Sequence, residues 1–201
     1  MRRLLTQIIV LSVGAIALVG FGGVSSFLAA GRTDATADSA DLTTVRAQLA
    51  DTKRELERAH QILEYSGRYG IPGDLAAQIY DIATAEGIPA SVGFQLVKVE
   101  SDFQNTALST ASATGLTQLR LATARQYDAG LDASDLMNAD VSLHLGFRYL
   151  KDLMERFDHN VPLALEAYNK GPTFVSAEQD QGRDVTGKYS KAVLGGVRKR
   201  G

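Results

Sequence analysis

One acid stands out for the residues around it. Glu100 closes the run Val97-Lys98-Val99-Glu100-Ser101. Further on come Gly115-Leu116-Thr117-Gln118-Leu119 and, much later, Ala167-Tyr168-Asn169-Lys170-Gly171-Pro172. A lone carboxyl at a helix end, with an amide and a Tyr-Asn pair available from elsewhere in the chain, suits acid/base chemistry on a sugar bond. To give up a proton at neutral pH, such a carboxyl needs a raised pKa. Burial among apolar groups raises it by disfavouring the charged form. Leu96, Val97 and Val99 precede Glu100 and supply that environment. A tyrosine hydroxyl donating to the carboxyl would act in the opposite direction while fixing its orientation. A two-carboxylate mechanism needs a second acid placed for a nucleophile or a water. Asp102 is nearest in sequence, but two positions along a continuing helix it points away. No other acid stands in a comparable motif.

The elements that must position these residues read as helices. Asp74 can cap a helix carrying Leu75, Ile79 and Ile82, stopped by Gly87. Pro89 suits the first turn of the next helix, which runs through Phe94, Leu96 and Val97 to Glu100. Further helices are expected over Leu121 to Asp128, Ala139 to Phe157, Pro162 to Asn169 and Lys188 to about Val197. No convincing alternating strand is present, so the domain from about residue 70 is expected to be mainly α-helical.

The chain has 201 residues, enough for one ordinary domain and an appendage. An apolar content of 45% argues against global disorder, and a net charge of −2 gives no case for nucleic acid. The absence of cysteine removes disulfides, thiol catalysis and cysteine-ligated zinc. His60, His144 and His159 form no metal-ligand pattern, so neither metal nor cofactor is expected.

At the N-terminus, Arg2 and Arg3 precede an uncharged, mostly apolar run from Leu4 to Gly31. About 20 residues suffice to cross a hydrocarbon core. Arginines before the run and Asp34, Asp38 and Asp41 after it put the N-terminus inside. Residues 1–31 therefore read as a transmembrane anchor, or as a signal peptide. Either places the domain on the extracytoplasmic side of a cytoplasmic membrane. Residues 32–66 read as a linker to about residue 40 and then a stalk helix. Within it Leu42, Leu49, Leu56 and Leu63 recur every seventh residue, with Val45, Thr52 and Ala59 at the second seam. Residues 42–63 could self-associate weakly as a coiled coil, or the stalk could pack on its own domain, residues 67–201.

In order, Glu100-Ser101, Ser109, Gly115-Leu116-Thr117-Gln118, Thr123-Ala124, Leu143-His144-Leu145-Gly146-Phe147-Arg148-Tyr149-Leu150 and Ala167 to Pro172 resemble the lytic transglycosylases of the soluble-enzyme type, relatives of goose-type lysozyme. The resemblance covers roughly residues 76–195. It implies a lysozyme-like helical domain with a cleft for peptidoglycan glycan strands. It also implies cleavage of the β-1,4 bond between N-acetylmuramic acid and N-acetylglucosamine, leaving a bacterial wall polymer with 1,6-anhydromuramic ends. By that resemblance Glu100 is the single catalytic acid/base, and Ser101, Ser109, Gln118, Tyr168, Asn169 and Tyr189 line the substrate site. Taken alone, Gln118 could bridge backbone groups, Tyr168 could be a core aromatic and Asn169 a helix-end turn residue. A goose-lysozyme-like hydrolase and a wall-binding module without turnover are the rival readings. The chain also departs from the family pattern. Thr117 replaces a methionine expected to pack on a sugar ring, Arg120-Leu121 replaces Met-Pro, Ser112 a glycine and Thr110 a frequent proline.

Overall fold

The computed structural model describes residues 35–109 and 112–198, with side chains from residue 41 to 197. The apolar run read as a membrane anchor lies outside the described residues, as does Thr110. Among the described residues no helix is long and apolar enough to cross a membrane. The chain divides into two compact units, Met1–Arg46 and Ala47–Gly201. Of the first, the described part is the start of helix α1, Ala35–Tyr69, which therefore begins within the stretch expected to be linker.

Among the described residues of the second unit seven more helices follow: α2 Gly73–Ala85, α3 Ala90–Ser101, α4 Leu121–Ala124, α5 Ala139–Arg156, α6 Val161–Lys170, α7 Pro172–Asp180 and α8 Lys188–Arg198. Between α3 and α4 lies a two-stranded antiparallel ribbon, β1 Ala113–Thr114 with β2 Leu119–Arg120, pairing Ala113 with Arg120 and Thr114 with Leu119. A 3₁₀ turn, Asp135–Met137, precedes α5. The mainly helical class is as expected; the short ribbon and α7 are additions to it.

Helix α1 runs past residue 66, where the stalk was expected to end, and stops at Gly70, whose φ of 63° suits glycine. Its last turns belong to the core. Ile62 and Tyr65 are buried, and Tyr65 stacks on Phe94 of α3 with centroids 4.0 Å apart. The leucines Leu42, Leu49, Leu56 and Leu63 instead stay between 52% and 70% exposed. Within the second unit, Leu49, Leu56 and Leu63 therefore do not pack on the domain.

Asp74 does not cap α2. Pro72, in extended conformation, precedes the helix, and Asp74 sits in its first turn with its carboxylate accepting from the N–H of Leu75 at 2.8 Å. Asparagine does cap two other helices: Asn138 accepts from Asp140 and Val141 at the start of α5, and Asn160 from Leu163 at the start of α6. The helix expected from Leu121 to Asp128 ends at Ala124, and the following residues form turns in which the Arg125 guanidinium donates to the carbonyl of Leu131.

The core gathers the inward faces of α2, α3, α5 and α6, with Ile79, Phe94, Leu96, Val97, Leu143, Phe147, Leu150 and Leu165 fully buried. Helix α3 packs against α2 and α8, and α6 against α5, α7 and α8. Gly93 permits the close approach of α3 to its neighbour: a β-carbon there would stand 2.9 Å from the Ala83 β-carbon. Helix α3 thus holds one face to the core and carries its C-terminal end toward α8.

Candidate active site

Helix α3 ends one residue beyond Glu100. Asp102 takes a left-handed conformation at φ 48°, Phe103 follows at φ 63°, and the Asp102 N–H bonds the carbonyl of Lys98 at 3.0 Å. This turn carries the chain away and leaves Glu100 on the last turn, half-buried. Leu96 and Val97 beneath it are fully buried, while Val99, expected to help enclose it, is 39% exposed. Asp102 is held by the Lys98 ammonium at 2.8 Å, so it is not a second acid aimed at the site.

The phenol of Tyr189, from the first turn of α8, donates to Glu100 Oε1. Burial pushes the Glu100 carboxyl up to about 7, against the lowering effect of that hydrogen bond. Glu100 is therefore largely protonated in mildly acidic solution and close to half-ionised at neutrality. Burial, followed by the nearby charge of Glu100, pushes the Tyr189 phenol well above its ordinary range, so it remains a donor.

Tyr168 comes from α6 to the same region. Its hydroxyl donates to the backbone carbonyl of Thr117 at 2.8 Å, and its ring lies against Tyr149 with centroids 5.3 Å apart. Burial first, then the charge of Glu100, raises its pKa. Tyr168 thus ties α6 to the turn between β1 and β2 while standing close enough to Glu100 to feel its charge.

The other expected site residues fare differently. Ser101 is buried, with its hydroxyl directed at the carbonyls of Val97, 3.1 Å, and Leu116, 2.9 Å. It fastens α3 to the ribbon turn. Ser109 accepts from the N–H of Ala113 at 3.0 Å. Gln118, at φ 47°, donates its amide to the carbonyls of Ala107 and Gly115, both at 2.9 Å, and so closes its own loop. Asn169 is exposed at the end of α6.

Thr117 corrects an expectation. Its side chain is fully buried and donates to the carbonyl of Ser142 on α5 at 2.8 Å. Thr117 faces the interior, so its exchange for methionine changes the packing on α5, not a sugar-facing wall. Gly146 makes room for it: a β-carbon there would fall 2.4 Å from the Thr117 side chain. Ser112 does occupy a turn that glycine would relax, at φ 58°. Arg120 is exposed on β2.

Sequence reasoning passed over Glu166. It is fully buried between Leu165 and Ala167, and it accepts from two N–H groups at the start of α8. The available signal was a glutamate within an apolar stretch, one turn before Lys170.

The profile of the Transglycosylase SLT domain matches residues 78–190. An inactive mutant of the lytic transglycosylase Slt from Pseudomonas aeruginosa is similar in structure, with 30% identity and a TM-score of 0.54 over 60% of this chain. The 70 kDa soluble lytic transglycosylase from Escherichia coli shares the fold, with 22% identity and a TM-score of 0.55 over 66% of this chain. The matches cover 22% and 24% of those two chains, so the present chain spans about a quarter of their length. With more than half its length matched by that profile, the chain belongs to the transglycosylase SLT-domain family.

Proposed function

We propose that this protein is a peptidoglycan lytic transglycosylase with Glu100 as its single acid/base. One observation carries the reading: a half-buried carboxyl oriented by a tyrosine, which burial pushes up to about 7 with no neighbouring carboxylate contributing. An acid with a pKa near the working pH suits proton transfer in both directions.

Glu100 gives its proton to the oxygen linking N-acetylmuramic acid to N-acetylglucosamine, and the bond from that oxygen to the muramic anomeric carbon breaks. The resulting carboxylate then takes the proton from the muramic 6-hydroxyl as that oxygen bonds to the same carbon. Glu100 ends protonated, and the strand carries a 1,6-anhydro ring. The internal hydroxyl needs no bound water, because its effective concentration is high. Tyr189 holds the carboxyl in place and favours its charged form between the two transfers.

Extracytoplasmic placement at a bacterial cytoplasmic membrane is part of the proposal. It is supported by Arg2, Arg3 and the apolar run after them. Membrane attachment through that run would set the domain beside its polymer.

Mass spectrometry of peptidoglycan digested by the purified protein tests the reaction. Anhydro-ended muropeptides are expected, and Glu100→Gln should yield none. Reducing ends would instead identify a hydrolase. Equal binding of strands by wild type and Glu100→Gln, with no cleavage by either, would identify a binding module.

A further inference from the structure

The phenol that orients Glu100 must itself be held. Tyr189 stands in the first turn of α8, and the start of a helix exposes N–H groups without intrahelical partners. Two of these, on Gly187 and Ser190, point at one atom: Glu166 Oε1, at 2.8 and 3.0 Å. They flank Tyr189 in sequence on either side.

Glu166 belongs to α6 and is fully buried. A buried carboxylate is costly unless its oxygens are paired. Here the second oxygen meets the Lys170 ammonium at 2.8 Å, one turn further along α6. Lys170 also donates to the carbonyl of Val185 at 3.5 Å. Burial alone would raise the Glu166 pKa; Lys170, Ser190 and Gly187 outweigh it and hold the carboxyl at about 2. The group is therefore charged throughout the range in which Glu100 titrates. Gly187 fits this arrangement closely, since a β-carbon there would stand 3.2 Å from Oε1. In the preceding turn Asp184 accepts from the N–H and hydroxyl of Thr186.

We propose that Glu166 is a positioning residue. By binding the N-terminus of α8, it sets where the Tyr189 hydroxyl stands relative to Glu100. Its importance for turnover rests on the transglycosylase reading; the mechanical link between the three residues does not. A donor displaced by even a fraction of an ångström to an ångström loses much of its effect on the group it serves. Around Glu166 the ionisable groups are Lys170 on its own helix and Tyr189 on α8. Around Glu100 they are Tyr189 and Tyr168. Loss of the clamp should therefore be read at Glu100 through Tyr189.

The test is the titration of Glu100 in the full-length chain, kept in mild detergent and labelled with ¹³C-carboxyl glutamate. The Glu100 resonance is assigned by its absence in Glu100→Gln. Tyr189→Phe removes a donor to the charged carboxyl and should raise its midpoint by about one pH unit. Glu166→Leu, which removes both acceptors, should raise it comparably. Glu166→Gln, whose amide oxygen still accepts N–H, should raise it by less. Combining Glu166→Gln with Tyr189→Phe should give no more than Tyr189→Phe alone, because both act through one hydrogen bond. In a muropeptide assay Glu166→Gln should lower kcat about threefold to tenfold with KM unchanged, as expected when only a transition-state interaction is weakened.

A purely structural role would lower the melting temperature and leave the midpoint where it was. If Glu166→Gln is folded with a wild-type Glu100 midpoint, or if its shift adds fully to that of Tyr189→Phe, the proposal is overturned. This holds even if Glu166→Leu fails to fold. If wild type forms no anhydro ends while the midpoints remain coupled, the reaction reading fails and the positioning role stands.

Discussion

Tyr189 and Glu100 are 89 residues apart in the chain and joined by a single side-chain hydrogen bond. The bond sets two opposed influences on one proton. Burial keeps it on Glu100, and the phenol eases its departure. Under the proposed reaction, wild-type kcat/KM should therefore fall as pH rises through about 7, where Glu100 loses the proton that the proposal has it donate. Tyr189→Phe should move this alkaline limb to higher pH while lowering the plateau. A pH–rate profile of muropeptide release checks both, and an unmoved limb would separate the phenol from the acid.

The same shift has a consequence for stability. The folded-state pKa of Glu100 is raised, so its contribution is fully present below the unfolded value and is lost as pH rises through about 7. Glu100→Gln escapes that loss. Its unfolding free energy should match wild type near pH 4 and exceed it by about 1–3 kcal/mol near pH 8. Activity should drop by a factor of at least ~100. Denaturant unfolding at the two pH values measures the difference, and equal stability at pH 8 would contradict the burial of a reluctant acid.

Gly146 tests the buried role of Thr117. A methyl group at 146 would meet the Thr117 side chain at 2.4 Å. Gly146→Ala should cost about 1–3 kcal/mol by overpacking. It should also reduce activity, because the Thr117 carbonyl anchors the hydroxyl of Tyr168. Adding Thr117→Ala should recover part of the stability. Urea unfolding of the two single variants and the double variant gives the coupling directly.

The exposed leucines of α1 make a separate prediction. Leu49, Leu56 and Leu63 are at least half exposed. Exchanging Leu49 and Leu56 for serine should change the unfolding free energy by less than about 0.5 kcal/mol per site. Residues 33–201 should sediment faster as concentration rises if this seam joins copies, and the double variant should not. Concentration-independent sedimentation of the wild-type segment would remove self-association from the account.

Much of this arrangement was legible from residue types. Pro89 before an apolar run gave α3, and the same run ended at the acid. Helix α5 followed from its apolar spacing and α6 from Pro162, while the asparagine at each entrance emerged only in the structure. Helix α7 was hidden because Gly171-Pro172 reads as a break. In the structure Gly171 turns the chain at φ 92° and Pro172 opens a new helix immediately. The inward direction of Thr117 was also hidden. It depends on Gly115 at φ 80° and Gln118 at φ 47°, and such turns override the alternation a sequence suggests. Glu166 escaped notice for a different reason: apart from Lys170, its partners are backbone N–H groups, which every sequence has and no sequence displays.

Helix α8 meets α3 across more than eighty intervening residues. A ribosome that has completed the first 187 residues has delivered the acid and the ribbon turn, but neither Tyr189 nor the N–H of Ser190. A growing chain at that point holds Glu100 without the phenol that orients it. The hydrogen bond between Tyr189 and Glu100 therefore forms only after α8 has been synthesised and has closed onto α3.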